Sequence, residues 1–152
     1  MITTQAELEA VRADCRKLVR NRSLMSAGVA VVPVPALDVL TDFGILRKLL
    51  PEISRRFGLD AEQVAALDPQ RGQRVLAVAN RLGSAVIGRV VTERLVVSVM
   101  RRLGLRIATG AVSKFVPMVG TALAAGVSYS AMKLIGDRHI SDCYETARQA
   151  LL

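Results

Sequence analysis

The sequence predicts an all-α fold, a compact multi-helix domain with two Pro-containing apolar helical hairpins. Three observations predict it. Between Asp38 and Phe57, the apolar residues Val39, Phe43, Leu46, Leu50, Ile53 and Phe57 recur at alternating steps of four and three, the spacing of one helix face. Two apolar runs are interrupted by proline, at Val32-Pro33-Val34-Pro35 and at Val116-Pro117-Met118-Val119-Gly120. Proline lacks an N–H and its ring clashes with the preceding turn, so each run reads as helices folded back about a bend. The one stretch with strand character, Val90 to Met100, has no second strand candidate to pair with, and a lone strand leaves its backbone groups unsatisfied.

The first helix is expected from Gln5 to Val19, opened by a Thr4/Glu7 capping box and closed by the polar run Arg20-Asn21-Arg22. Ser23 to Val32 reads as a short apolar helix stopped by Pro33, with Pro35 extending the break. Asp38 begins the amphipathic helix as an N-cap or first-turn carboxylate. Pro51 marks a kink or restart inside it, and Gly58 suits the position just beyond its end. Asp60 with Gln63 repeats the capping pattern and opens a short helix to about Leu67. Asp68-Pro69 restarts the chain, and a helical stretch is expected from about Arg71 to Leu103. After Gly104, Ile107 to Phe115 reads as a short apolar helix carrying Lys114. A turn from Pro117 to Gly120 then leads into a helix from Thr121 to Leu134, closed by Gly136. Ala122, Gly126 and Ser130 place small groups on one face of it, suited to close helix contact. An amphipathic helix from about Arg138 to Leu151 ends the chain.

The 152 residues suffice for one domain with a real core, and no linker divides residues 1–152. Hydrophobic residues make up 51% of the chain and aromatics only 3%, with no Trp, so the core is built from Ala, Val, Leu, Ile and Met. Cys15 and Cys143 each fall on an apolar stripe and read as buried, reduced thiols. Residues 1–20 are polar and charged rather than leader-like, which implies synthesis and residence in the cytoplasm. The uncharged run from Phe115 to Met132 touches the lower limit of a membrane span. Extending it back to Ile107 places Lys114 in the middle, at a cost of about 2.5–3.5 kcal/mol. A folded apolar hairpin is therefore preferred to insertion, with a re-entrant or integral placement as the alternative.

No catalytic constellation is visible. His139, the single histidine, sits beside Asp137 and Arg138 and reads as a surface or capping residue. One His with two distant Cys makes a poor metal set. Cys15, His139 and Asp142 have no spacing that suggests a nucleophile and its base. No cofactor is expected, and no G-x-x-x-x-G-K-[ST] phosphate loop occurs. Lys and Arg total 21 against 13 Asp and Glu, a net charge of +8. Such a balance suits an anionic membrane or an acidic protein. A nucleic-acid partner is not expected, because basic clusters interleaved with aromatics are missing. The candidate contact residues are Arg47, Lys48, Arg55 and Arg56, with Lys114, Phe115, Pro117 and Met118 from the second apolar run. Further arginines, from Arg71 to Arg106, recur along the middle. The structural turns are assigned to Pro33, Pro35 and Asp38, and to Pro117 and Gly120.

The segment Val32-Pro33-Val34-Pro35-Ala36-Leu37-Asp38, with its helix ending at Phe57-Gly58, resembles a family of bacterial helical domains found after a GTPase domain in certain inner-membrane proteins. Lys114-Phe115-Val116-Pro117-Met118-Val119-Gly120-Thr121 is similar too, as are Gly126, Ser128, Tyr129 and Gly136 beyond it. The likeness covers about residues 24–136 and extends to EcsC-like proteins and, more distantly, to the helical tail of immunity-related GTPases. It implies an all-α domain, often membrane-associated and often partnered with a GTPase, here a separate one. The expectation is a non-enzymatic helical domain at the inner face of the inner membrane, or one that binds a protein partner. A soluble adaptor or immunity-type protein is the alternative, and homo-oligomers are compatible with either.

Overall fold

The computed structural model describes residues 2–29, 37–82 and 117–151. Within them every regular element is a helix: α1 (Gln5–Val29), α2 (Leu37–Arg56), α3 (Ala61–Ala65), α4 (Pro69–Leu82) and α5 (Pro117–Ala150). The all-α expectation holds for these residues. Pro33, Pro35, Lys114, Phe115 and residues 83–103 fall outside the described segments.

Local chemistry explains most helix ends. Thr4 Oγ1 accepts from the Glu7 N–H at 3.2 Å, while Glu7 Oε2 accepts from the N–H groups of Thr4 and Thr3 at 3.2 and 2.8 Å. These backbone bonds hold the Glu7 carboxyl below its ordinary pKa. At the end of α2, Gly58 takes φ +74°. Its N–H reaches the Arg55 carbonyl at 3.0 Å, and the Leu59 N–H reaches Ser54 O at 2.9 Å. That is the paired closure of a Schellman motif, which a glycine adopts without strain. Asp60 caps α3 reciprocally with Gln63. Asp68 Oδ1 accepts from the Arg71 N–H at 3.0 Å, so Pro69 opens α4 where its missing N–H costs nothing.

Three sequence expectations are corrected. Arg20-Asn21-Arg22 does not end α1, which runs on to Val29. Val19, Ser23 and Ser26 continue the buried stripe of Leu8 and Cys15, and burial of that stripe outweighs the weak helix preference of the polar residues between. Pro117 to Gly120 is not a turn but the first turn of α5. A proline's fixed φ is already helical there, and its missing N–H would be unpaired anyway. Gly136 does not close a helix either, since α5 passes through it without interruption.

α5 packs against α1, α2 and α4, most extensively against α1. Contacts between Gln5 and Tyr144, Val19 and Gly136, and Ser26 and Ser128 show that α1 and α5 run antiparallel. The core gathers Leu8, Cys15 and Val19 from α1, Leu46, Leu49 and Ile53 from α2, and Met132, Ile140, Cys143 and Ala147 from α5, with Phe57, Leu59 and Val75. The expected tight-packing face at Gly126 and Ser130 is exposed, and among the described residues a methyl group added at Gly126 meets nothing within 4 Å. The close approach occurs one face away, at Gly136.

Candidate functional site

Two polar ties between helices and one groove on the surface emerge among the described residues. Inside, α2 and α5 bring Ser54, His139 and Cys143 together. His139 Nε2 lies 3.1 Å from the Leu50 carbonyl oxygen and 3.0 Å from Ser54 Oγ. Cys143 Sγ lies 3.6 Å from the same nitrogen and 3.9 Å from Ser54 Oγ. All three side chains are buried, which corrects the expectation of a surface or capping His139. The single ring sits one turn before Cys143 on the buried stripe, against the Leu50 carbonyl that precedes Pro51 in α2.

The chemistry of this cluster follows from the Leu50 carbonyl. It can only accept, so Nε2 carries the imidazole proton and donates it there. Nε2 is then no base toward Ser54 or Cys143. Burial lowers the His139 pKa to about 4, opposed by the Leu50 hydrogen bond. Burial also raises the Cys143 thiol well above its ordinary value, and the Cys15 thiol to about 11. A nucleophilic cysteine needs the opposite shift. Asp142 pairs with Arg138 at 3.3 Å. The cluster therefore acts as a polar tie between α2 and α5. Among the described residues no group of three His, Cys, Asp or Glu could hold a metal ion.

A second tie joins the start of α1 to the end of α5. Tyr144 donates its hydroxyl to Glu9 Oε1 at 2.5 Å and accepts from Gln5 Nε2 at 2.8 Å. The Arg12 guanidinium lies 4.5 Å from the Tyr144 ring centroid, within cation–π range. The hydrogen bond to Glu9, which ionisation would forfeit, raises the tyrosine pKa, and burial adds to it.

On the surface, α1 and α5 flank an open groove of about 460 Å³ lined by Arg16, Lys17, Arg20, Lys133, Asp137 and Ser141. Arg16 and Arg20 are one helical turn apart, and both are exposed. Lys17 is paired with Asp14 at 3.3 Å, and Lys133 with Asp137. Four cations thus surround one carboxylate in the lining. Leu24, one turn beyond Arg20, is 57% exposed, and Leu134, adjoining Lys133, is 60% exposed.

The expected contact residues are placed differently. Arg47, Lys48, Arg55 and Arg56 are all exposed on α2, but they do not form one face. At about 100° per residue, Arg47 and Arg56 project from opposite flanks, and Arg56 is tied to Glu52 at 2.7 Å. Pro117 and Met118 lie in the first turn of α5. Arg71, Arg74 and Arg81 are exposed on α4, and the arginines from Arg89 to Arg106 fall outside the described segments. Arg16, Lys17, Arg20 and Lys133 were not singled out by sequence. The Arg16/Arg20 spacing beside buried Cys15 and Val19 is a signal for a basic edge on α1. Nothing local places Lys133 beside it.

Among the described residues no helix is long and apolar enough to cross a membrane. No family model, curated protein or solved structure matches this chain.

Proposed function

We propose that this chain is a non-enzymatic helical domain that works by contact, meeting an anionic partner surface with the basic edge of the α1/α5 pair. The groove lined by Arg16, Lys17, Arg20 and Lys133 against the single carboxylate of Asp137 carries this reading. The interior supports it: the Ser54–His139–Cys143 cluster has its histidine proton donated to a backbone carbonyl and its thiol pKa raised. Fixed positive charge on packed helices favours an anionic surface without the cost of ordering a loop. The resemblance to GTPase-associated helical domains agrees, and adds a separate GTPase as a companion and the inner membrane as the place of work.

The test mixes the full chain with anionic vesicles, neutral vesicles and polyglutamate at low and moderate salt, and measures binding by co-sedimentation or light scattering. Salt-sensitive binding to an anionic probe is expected, since screening weakens exposed charge contacts. Failure to bind either anionic probe at low salt refutes the proposal.

A further inference from the structure

The composition of the groove's rim narrows the partner. Exposed leucines stand beside the cations on both helices, so the rim offers apolar area as well as positive charge. Leu24 continues the Arg16/Arg20 stripe by one turn, and Leu134 follows Lys133 directly. Because α1 and α5 are antiparallel, with Val19 against Gly136 and Ser26 against Ser128, the two leucines lie at neighbouring levels of the pair. Apolar area and attraction to anionic headgroups are the two contributions that together hold a protein surface at a lipid interface.

We infer that the α1/α5 groove is a docking surface for an anionic phospholipid membrane. Arg16, Lys17, Arg20 and Lys133 meet headgroup phosphates, and Leu24 and Leu134 insert shallowly. The inference rests on the contact-domain reading above and commits it to lipid. Arginine forks match phosphate oxygens two at a time. Lys17 and Lys133 already have carboxylate partners, so Arg16 and Arg20 are assigned the larger share of phosphate contact. Leu24 and Leu134 are more than half exposed, so their cost on the surface is recovered when lipid covers them.

The experiment compares vesicles of phosphatidylcholine alone with vesicles of equal parts phosphatidylcholine and phosphatidylglycerol, using the full chain and three double variants. Arg16→Gln with Arg20→Gln should weaken binding to anionic vesicles about 30-fold, at about fivefold per cation. Leu24→Ser with Leu134→Ser should weaken it at least tenfold while leaving the unfolding midpoint near that of the parent. Arg47→Gln with Lys48→Gln removes the same charge from α2 and should change binding less than threefold, because long-range attraction is screened beyond about 10 Å. Equal loss from the α2 and groove variants overturns the inference, since binding would then follow net charge alone. Binding unaffected by the leucine variant also overturns it. Binding to polyglutamate but not to vesicles overturns it as well, yet leaves the contact-domain reading standing.

Discussion

Adding one methyl group at Gly136 places it 2.7 Å from both methyl carbons of Val19 and 3.3 Å from its Cβ. Carbon atoms in good contact sit about 3.5–4.0 Å apart, so α1 and α5 must separate by roughly 1 Å, or Val19 must move. A β-branched valine in a helix has essentially one rotamer, which leaves helix displacement. Overpacking of this kind costs about 1–3 kcal/mol. Against it stands the helix preference of Ala over Gly, about 1 kcal/mol. Gly126 isolates that second effect. It lies on the same helix, is exposed, and has no other described residue within 4 Å of where the methyl would go. Gly126→Ala should therefore stabilise by about 0.5–1 kcal/mol, and Gly136→Ala should fall below it by about 1–3 kcal/mol. In a domain of this size the gap corresponds to about 2–12 °C in Tm. Urea unfolding followed by far-ultraviolet circular dichroism reads it directly. Val19→Ala should cost less in the Gly136→Ala background than in the parent, with a coupling energy of about 0.5–3 kcal/mol. If the two alanine variants have equal stability, or if Gly136→Ala is the more stable, the close α1/α5 contact is wrong.

His139 gives the second prediction. Its folded pKa of about 4 lies below the unfolded value of 6.5, so between those values the unfolded chain binds the extra proton. The contribution of His139 to stability should be constant above about pH 7, fall by about 3 kcal/mol as pH drops through this window, and level off below it. His139→Gln should flatten that slope in denaturant titrations at stepped pH, and an unchanged slope would place the acid sensitivity elsewhere. Third, neither Cys15 nor Cys143 should react with a thiol reagent in the native protein near neutral pH, because both are buried with raised pKa values. Both should react promptly in denaturant, and fast native labelling of either contradicts the core placement. Fourth, Asp60→Ala removes the side-chain acceptor for the Gln63 N–H and should lower stability by about 1 kcal/mol. A neutral outcome would show that α3 contributes little to the folded core.

What the sequence revealed was local, and what it concealed was long-range. The Thr4/Glu7 and Asp60/Gln63 caps, Gly58 beyond α2 and Pro69 at the start of α4 could all be read, because each depends on residues within one turn. Arg20-Asn21-Arg22 looked like a terminus only while α5 was out of view. Once Val19 and Ser23 pack against α5, the polar residues simply face outward. Gly136 and Pro117 misled for the same reason. A glycine marks an end when nothing crosses it, but permits a crossing when a valine does. His139 carries no local sign of burial. Its partners Leu50 and Ser54 lie in another helix, more than eighty positions earlier. The surface groove joins two segments still further apart, so adjacency along the chain picks out the divergent set on α2 instead.

The antiparallel pairing of α1 with α5 also has a consequence in time. Gln5 and Tyr144, joined by a hydrogen bond, stand 139 positions apart along the chain. At translation speeds of about 5–20 residues per second, α1 leaves the ribosome roughly 7–28 s before the residues that cover it are made. Throughout that interval the stripe of Leu8, Cys15 and Val19 can lean only on α2, which packs against α1 and is made first. The newborn pair keeps open the larger face that α5 will cover.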